Sequence, residues 1–235
     1  MVHAEKLIQK FFRNQEHPYK IYERKIEAAL KATDTLLDAG CGRSAPVLRK
    51  FREKAASLIG VDLEPCSDSF RGLRYIQGDI ANIALEDSCI DVVISRAVLE
   101  HVKNPLSVFE EVHRILKPGG SFIFLIPNLF DYASLFSILI PNRFHGFIVS
   151  RVEGRKRNDV FPVYYRANTF SSISCLCRKT GFKILEFEFL GQYPAYFTFN
   201  PLLFVIATAY EKVISRFEIL KYLRGWILVH LIKME

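Results

Sequence analysis

The stretch Leu36-Leu37-Asp38-Ala39-Gly40-Cys41-Gly42-Arg43-Ser44 indicates the fold more clearly than any other part of this 235-residue chain. Its apolar start predicts a buried strand, and its two glycines allow the backbone to turn sharply where the strand ends. Glycine also leaves room for a ligand close to the backbone at the carboxyl end of a strand. The stretch therefore predicts a nucleotide-type binding site at the end of a first strand.

Asp38 decides which of two kinds of ligand this loop favours. The spacing Gly40-x-Gly42-x-x-Ala45 also satisfies the dinucleotide pattern, in which a pyrophosphate lies against the glycines. A carboxylate two residues before the first glycine would repel that pyrophosphate, whereas it would attract an ammonium group. S-adenosylmethionine carries an ammonium and a cationic sulfonium and has no phosphate, so it fits Asp38 better than NAD does.

Two further acids follow later apolar runs. Asp62 comes 24 residues after Asp38, where its two oxygens can accept hydrogen bonds from both ribose hydroxyls. NAD would use such an acid as well, so Asp62 supports an adenosine ligand without choosing the cofactor. Asp79 ends a third run, where it is placed to accept from an adenine amino group. One strand-end acid is commonly a cap or turn former, but three at successive strand ends favour a binding edge.

Short apolar runs alternate with amphipathic segments from residue 35 onward. This alternation is typical of βαβ units, and it predicts an α/β fold with a Rossmann-like, mostly parallel sheet covered by helices on both faces. The turn at residues 117–120 ends a helix and starts the next strand. The predicted strands are 35–39, 57–62, 73–77, 90–95 and 121–127, and the predicted helices among them are 46–53 and 106–116.

The remaining segments complete a single domain over residues 1–235. We expect an N-terminal helical lid, a cofactor-binding half, an apolar and basic cap insertion, further sheet elements and a basic amphipathic C-terminal helix, over residues 1–32, 33–127, 128–168, 169–200 and 201–235. Residues 169–180 predict a helix, and residues 182–190 predict a strand. Asn200-Pro201 is a typical helix start, with a capping side chain and a proline in the first turn.

Six of these segments occur in an order shared with one enzyme family. They are Leu36-Leu37-Asp38-Ala39-Gly40-Cys41-Gly42, Gly60-Val61-Asp62, Gln77-Gly78-Asp79-Ile80, Ile90-Asp91-Val92-Val93-Ile94-Ser95, Val98-Leu99-Glu100-His101-Val102 and Arg114-Ile115-Leu116-Lys117-Pro118-Gly119-Gly120. Over residues 30–127 the chain resembles the class I S-adenosylmethionine-dependent methyltransferases, in the small-molecule branch that includes quinone and lipid methyltransferases.

The resemblance implies a seven-stranded sheet whose last strand is antiparallel. It also implies S-adenosyl-L-methionine as cofactor, no metal, and direct in-line transfer of the methyl group to a small-molecule or lipid-linked acceptor. Ser44 stands where the family often has a third glycine. The cofactor-binding residues implied by the resemblance are Asp38, Ala39, Gly40, Cys41, Gly42, Asp62, Leu63, Asp79, Ile80 and Ser95.

His101 is the candidate catalytic base. Alignment of donor and acceptor supplies much of the rate of such a reaction, and a base is needed only for an acceptor whose pKa lies well above neutral. His101 follows the fourth strand, and an unperturbed imidazole has a suitable pKa of about 6.5. We expect Arg96 and Glu100 of the same loop to be surface charges. Candidates in the cap are His145, Tyr164, Tyr165 and Arg166.

The net charge of +7 comes from the end of the chain. Residues 1–140 contain 18 basic and 18 acidic residues, whereas residues 141–235 contain 14 and 7. Apolar residues in 129–149 precede Arg151, Arg155, Lys156 and Arg157, a combination that suits an amphiphile with an anionic head or peripheral contact with an anionic membrane. Core packing beside a solvated charge run is the plainer alternative. Nucleic acid is not expected, because the aromatic residues do not interleave with the basic ones.

Composition, cysteine spacing and the N-terminal residues also indicate the cellular compartment. Half of the residues are apolar and 24% are charged, which predicts a packed globule and excludes a disordered chain. The five cysteines have neither zinc-type nor disulfide-framework spacing, and residues 1–14 lack a signal-peptide pattern, so we expect a cytoplasmic protein with membrane association. Pro194 and Pro201 break the 22-residue uncharged stretch 189–210, which therefore predicts a buried or interfacial segment.

Two classes of function are consistent with this sequence. The first is a methyltransferase, and the second is a non-catalytic cofactor-binding or peripheral membrane protein that keeps the methyltransferase fold. The intact set Asp38, Gly40, Gly42 and Asp62 favours the enzyme. An NAD-dependent oxidoreductase is less consistent, because of Asp38 and because no Tyr-x-x-x-Lys pair is present.

Overall fold

A seven-stranded sheet forms the centre of the protein. The structure, a computed structural model, describes residues 2–13, 15–139 and 161–234. The strands are β1 (Thr35–Ala39), β2 (Ser57–Asp62), β3 (Leu73–Gln77), β4 (Ile90–Arg96), β5 (Leu116–Pro127), β6 (Phe182–Leu190) and β7 (Trp226–Lys233). Their order in the sheet is β3-β2-β1-β4-β5-β7-β6. The predicted Rossmann-like sheet is therefore confirmed.

Strands β1 to β5 are parallel, and β7 is antiparallel to both of its neighbours, β5 and β6. Ile90 pairs with Leu116 but Val92 pairs with Ser121, so residues 117–120 bulge out of β5 as the predicted turn. Pairing of Trp226 with Pro127 and with Leu190 places the start of β7 where β5 and β6 end. This side of the sheet, where β1 to β6 end, is called the carboxyl edge below.

Helices pack on both faces of the sheet because side chains alternate along each strand. Leu37 and Val93 face a layer that includes Phe109, whereas Leu36 and Ile94 face the opposite layer. The α-helices of the described residues are α1 (Val2–Phe12), α2 (Pro18–Ala29), α3 (Pro105–Ile115), α4 (Tyr132–Leu139), α5 (Phe170–Thr180) and α6 (Pro201–Arg216). The helices predicted over 106–116 and 169–180 are confirmed by α3 and α5.

In the first third of the chain the predicted N-terminal helical segment is confirmed, whereas the helix predicted over residues 46–53 is wrong. Residues 1–32 form two helices, α1 and α2, because Pro18 has no N–H to continue a helix and begins a new one instead. His17 caps α2, since its Nδ1 accepts a hydrogen bond of 3.1 Å from the Tyr19 N–H. The segment 46–53 contains only a short 3-10 helix, Leu48–Phe51, in place of the predicted α-helix.

The predicted C-terminal helix over 201–235 is also wrong in its second half. Helix α6 ends at Arg216, a 3-10 helix spans Glu218–Leu223, and Trp226–Lys233 is strand β7. A strand buried on both faces reads as a continuous apolar run, which periodicity alone does not distinguish from a buried helix. The seventh strand implied by the resemblance is therefore at the end of the chain.

The extra segments leave the sheet at its carboxyl edge. Residues 128–168 follow the end of β5, and residues 191–225 connect the end of β6 to the start of β7. His145 and the basic cluster at 151–157 lie outside the described residues. Among the described helices, none is long and apolar enough to cross a membrane.

Candidate functional site

The loop after β1 is shaped by its two glycines. Gly40 has a φ of +86°, and a Cβ atom there would lie 2.3 Å from Val98 Cγ2, so no other residue fits. Gly42 has a φ of +70°, and nothing lies within 4 Å of the position of its Cβ. The N–H groups of Gly40 and Cys41 both donate to the Val61 carbonyl, at 2.8 and 3.1 Å. The loop is thus fixed to the end of β2 and has open space above Gly42.

Asp62 helps to hold this loop. Its Oδ2 accepts a hydrogen bond of 2.7 Å from the Gly42 N–H, and its Oδ1 accepts one of 3.0 Å from the Glu64 N–H. Each carboxylate oxygen can accept a second hydrogen bond. The carboxylate therefore fixes the loop and still has acceptor capacity for a hydroxyl-bearing ligand.

Asp38 is a buried acid at the carboxyl end of β1. Its side chain is 2% exposed, and no described residue donates a hydrogen bond to its carboxylate. Burial raises the pKa of Asp38 to about 7; the Arg96 guanidinium opposes that rise, and the Asp62 carboxylate adds to it. A buried carboxylate of this kind is stabilised by a cationic or donor-bearing group, which fits the ammonium predicted from the sequence.

The third strand-end acid has a local role as well. Asp79 is exposed, and its Oδ1 accepts a hydrogen bond of 2.9 Å from the Ala81 N–H in a tight turn. The Gly78 N–H donates to the Asp62 carbonyl at 2.9 Å, which brings the ends of β2 and β3 together. Ile80 is buried below the turn, whereas Leu63 is largely exposed. Asp38, Asp62 and Asp79 therefore all lie along the carboxyl edge.

Three of the remaining predicted cofactor residues have structural partners. The Ser95 hydroxyl is buried and donates to the Ala39 carbonyl at 2.7 Å, which joins β4 to β1. The Cys41 side chain is also buried, and it lies where a side chain at Gly60 would clash. These contacts hold the ends of β1, β2 and β4 together beneath the carboxyl edge.

His101 lies in the 3-10 helix Leu99–His101 that follows β4. Its Nδ1 is 2.9 Å from the Pro162 carbonyl oxygen. A carbonyl only accepts, so Nδ1 carries the proton and Nε2 is the proton-accepting nitrogen. Nε2 is 4.0 Å from Glu100 Oε1, a carboxylate that would stabilise a protonated imidazole.

Arg96 and Glu100 are not the surface charges that the sequence predicts. Glu100 is buried, and its backbone carbonyl accepts hydrogen bonds from the Tyr164 and Tyr165 N–H groups at 2.7 and 3.2 Å. The Arg96 guanidinium lies over the Tyr19 ring, 4.4 Å from its centre. Both differences arise because segments distant in sequence pack on this loop, and a local pattern does not reveal such packing.

Two further buried carboxyl groups were not predicted from the sequence. Asp131 and Glu211 are 2% and 1% exposed, and both oxygens of Glu211 lack a hydrogen-bond partner among the described residues. Burial raises the pKa of Glu211 to about 8, and the Asp131 carboxylate adds to the rise. Nothing in the sequence marks Glu211, because it lies in helix α6 between residues typical of any amphipathic helix.

Comparison with known proteins agrees with this geometry. Residues 37–124 match the protein family described as a methyltransferase domain. A probable S-adenosylmethionine-dependent methyltransferase from Mycolicibacterium smegmatis is 29% identical over 103 residues, which are 42% of this chain and 40% of that protein. A ubiquinone biosynthesis O-methyltransferase from Pseudomonas paraeruginosa is 30% identical over 139 residues, which are 52% of this chain and 60% of that protein.

One solved structure resembles this chain in fold. It is the complex between the Haloferax volcanii Trm112 methyltransferase activator and a putative methyltransferase, with a TM-score of 0.62 at 17% identity, covering 99% of this chain and 94% of that one. The sequence matches are shorter, since this chain spans only 40% and 60% of the length of the two curated relatives.

Proposed function

We propose that this chain, which belongs to the class I S-adenosylmethionine-dependent methyltransferases, transfers a methyl group from S-adenosylmethionine to a lipid-linked or otherwise amphiphilic acceptor. The observation that carries the cofactor half of the proposal is Asp38. It is a buried carboxylate to which no described residue donates a hydrogen bond, next to a glycine loop with open space above it. An acid in that position favours a cationic ligand over a phosphorylated one.

The residues present fit the cofactor as follows. Asp38 would hold the ammonium group, Asp62 the ribose hydroxyls, and Asp79 with Ile80 the adenine. Ala39 and the loop at 40–42 would lie against the ligand, with Leu63 beside the ribose. When bound, S-adenosylmethionine supplies a methyl group that is already activated by the positive sulfonium. The protein therefore needs mainly to align the two reactants and to exclude water.

His101 is proposed as the base that accepts the proton of an acceptor hydroxyl. The Pro162 carbonyl fixes its tautomer, and the Glu100 carboxylate favours the charged form after proton uptake. Substitution of His101 by Asn is expected to lower turnover about 100-fold or more and to leave cofactor affinity unchanged. A measured turnover within a few-fold of the wild type would show that the acceptor needs no base or uses another one.

The outward face of α6 supports the amphiphilic acceptor. Phe204, Ala207, Glu211 and Ile214 are buried, whereas Leu202 and Ile206 on the other side are 69% and 58% exposed. Val205 and Val213 extend this exposed apolar face, and Phe199 continues it before the helix. Monomeric soluble proteins rarely expose so many large apolar side chains together. Because residues 191–225 begin and end at the carboxyl edge, the face lies on the side of the molecule that holds the candidate site.

The charges on this surface favour an anionic membrane as its partner. Lys212 and Arg216 are exposed on α6, and Lys10 and Arg13 are exposed on and just after α1. Helix α1 packs beside α6, where the Phe12 and Phe204 ring centres are 6.4 Å apart. The exposed acid Glu218 is neutralised by Lys221 and Arg224. Apolar side chains flanked by basic ones are typical of interfacial helices, and the ubiquinone biosynthesis relative is consistent with such an acceptor.

A labelling experiment tests the proposed function. The protein is incubated with cell extract and cofactor carrying an isotopically labelled methyl group, and the lipid and small-molecule fractions are analysed by mass spectrometry. We expect the label in the lipid fraction, and no label with an Asp38→Asn variant. Label confined to water-soluble molecules would contradict the lipid-linked acceptor. Absence of label in every fraction, from protein that binds the cofactor, would support the non-catalytic alternative.

A further inference from the structure

A short segment before helix α5 lies against the loop that follows β4. The segment, residues 162–166, is called the strap below, and the loop comprises residues 97–103. The Pro162 carbonyl oxygen of the strap is 2.9 Å from His101 Nδ1 of the loop. These two residues are 61 positions apart in the sequence. The contact therefore depends on the bonds that hold the strap in place, and not on the local structure of the loop.

Backbone hydrogen bonds hold the middle of the strap on the loop. The Tyr164 and Tyr165 N–H groups both donate to the Glu100 carbonyl, at 2.7 and 3.2 Å. A carbonyl oxygen has two lone pairs, so it can accept both N–H groups. One residue further on, Arg166 Nη1 donates to the Lys103 carbonyl at 2.7 Å. The strap is therefore bonded to the loop at residues on either side of the imidazole.

The chain beyond the strap is fixed to the end of β5. Asn168 is buried, and its Nδ2 donates to the Pro127 carbonyl at 2.7 Å. Its own carbonyl accepts a hydrogen bond of 3.0 Å from the Leu129 N–H. Ala167, between the strap and this anchor, is also buried. The strap thus joins the loop after β4 to the neighbouring strand end, and it cannot shift along the loop without breaking these bonds.

Tyr165 has a backbone conformation that is rare for its residue type. Its φ is +51°, in the left-handed region that favours glycine. This residue lies between the amides bonded to the Glu100 carbonyl and the buried anchor at the end of β5, so its conformation sets the direction in which the chain turns back. Ala97, at the start of the loop, is also left-handed, with a φ of +54°. Such conformations persist only where surrounding contacts hold them, and they cluster at functional sites.

We propose that the strap is a positioning element for His101, and that the left-handed backbone of Tyr165 aims the Pro162 carbonyl at Nδ1. This inference rests on the proposed function, because it affects turnover only if His101 accepts the proton of the acceptor. The ring nitrogen that carries the proton is set by the hydrogen bond that the ring makes. With the strap in place, Nδ1 donates and Nε2 is left to accept. Tyr165 acts through the imidazole and is a positioning residue.

Two substitutions of Tyr165 separate the role of its backbone from that of its side chain. Asparagine is several-fold enriched in the left-handed region, whereas valine, which is branched at Cβ, is a genuine outlier there. Both Tyr165→Asn and Tyr165→Val remove the phenol ring, so a role of the ring alone would change the two proteins equally. Tyr164→Val is the matched control, because Tyr164 is not among the described residues with a positive φ.

Nitrogen-15 NMR of the His101 ring reports which nitrogen carries the proton, and it needs neither cofactor nor acceptor. Spectra are recorded well above pH 6.5, the ordinary imidazole pKa of about 6.5 being the reference, and His101→Asn identifies the resonances by their loss. We expect the wild type, Tyr165→Asn and Tyr164→Val to carry the proton on Nδ1. Tyr165→Val should lose this preference and show the tautomer with the proton on Nε2.

Arg166→Met provides a second variant should Tyr165→Val fail to fold. Arg166 is exposed, so its replacement removes the bond to the Lys103 carbonyl with little effect on packing, and it should weaken the preference for Nδ1 in the same direction. A wild-type proton on Nε2, an unchanged tautomer in folded Tyr165→Val and in Arg166→Met, or equal loss in Tyr165→Asn and Tyr165→Val would overturn the inference. Wild-type turnover by His101→Asn would instead refute the proposed base without altering the tautomer, so the two failures are distinguishable.

Discussion

Single carboxyl groups carry most of the proposed cofactor recognition, and Asp62 shows why one residue can have two roles. It fixes the glycine loop through the Gly42 N–H and keeps capacity for the ribose. We expect Asp62→Ala to weaken S-adenosylhomocysteine binding by about 1–3 kcal/mol, through loss of charge-assisted hydrogen bonds. Asp62→Asn, which keeps one acceptor oxygen, should lose less. Calorimetry measures both, and an unchanged dissociation constant for Asp62→Ala would contradict the ribose assignment.

Glu211 makes the stability of the protein depend on pH. Its pKa is raised from 4.5 to about 8 in the folded protein, because it is buried and because Asp131 is near; the Gln192 backbone amide opposes the rise. Folding therefore favours the protonated carboxyl. The stabilisation is complete below the unfolded pKa of 4.5 and is lost as the pH rises through about 8.

A Glu211→Gln variant removes this dependence. Relative to wild type, we expect similar stability near pH 4.5 and a gain of about 2–4 kcal/mol once the pH exceeds about 8, because the variant has no charge to bury. Denaturant unfolding at the two pH values measures the difference. A variant that is equally destabilised at both would show that Glu211 contributes through packing alone. Glu186→Gln is a control, since the pKa of that partly exposed carboxyl is lowered by Lys25.

Some features of the candidate site can be predicted from the sequence because they depend on local structure, and others cannot because they depend on contacts between distant segments. Asp38, Gly40 and Asp62 are readable because their roles depend on the end of a strand and the turn that follows it. The burial of Glu100 and the contact of Arg96 with Tyr19 are not, because they depend on how segments distant in sequence, such as α2, dock on the loop after β4. The residue type alone gives no sign of that docking.

At the scale of elements, α6 carries the exposed apolar face for which an anionic membrane is the proposed partner. We expect the protein to bind vesicles containing about 30 mol% phosphatidylglycerol and to bind neutral phosphatidylcholine vesicles much less, since basic residues flank the apolar face. The double variant Leu202→Ser and Ile206→Ser should reduce co-sedimentation at least threefold, by about 0.6 kcal/mol or more. Raised salt should weaken binding through screening.

Leu185→Ser provides the matched control for this experiment. Leu185 is an exposed leucine on β6, away from α6, and it is 49% exposed. Its replacement should leave vesicle binding unchanged. Equal loss in the control and in the double variant, or full binding by the double variant, would rule out the α6 face as the contact surface. Concentration-dependent dimerisation that disappears in the double variant would point to a second copy of the chain instead of a membrane.

Secondary structure was predictable where a strand is short and followed by a turn. The bounds of β1, β2, β3 and β6 agree with the predicted ones because glycine or acidic residues end these runs. Strand β7 was missed, since it is buried between β5 and β6 and its apolar residues continue the pattern of the preceding helix. Only the sheet as a whole, which needs a seventh strand between β5 and β6, resolves that ambiguity.

At the scale of the whole molecule, the candidate cofactor groups and the exposed apolar and basic side chains belong to different parts of the fold. The end of the sheet formed by β1, β2, β3 and β4 holds the candidate cofactor groups, while α6 presents exposed apolar side chains and both α1 and α6 present exposed basic ones. Such an arrangement would let an amphiphilic acceptor reach the site from a membrane surface. The composition predicted an excess of basic residues in the last part of the chain. Of these, Lys212 and Arg216 are exposed on α6, whereas the cluster at 151–157 lies outside the described residues.

The central claim is that the acid before the glycine loop selects a cationic cofactor. Calorimetric titration of folded protein with S-adenosylmethionine, S-adenosylhomocysteine and NAD tests it most directly. We predict saturable binding of both sulfur ligands at one site per chain, with no measurable binding of NAD, and loss of S-adenosylmethionine affinity in Asp38→Asn. Binding of NAD in preference to both sulfur ligands, or binding of none of the three, would contradict the account.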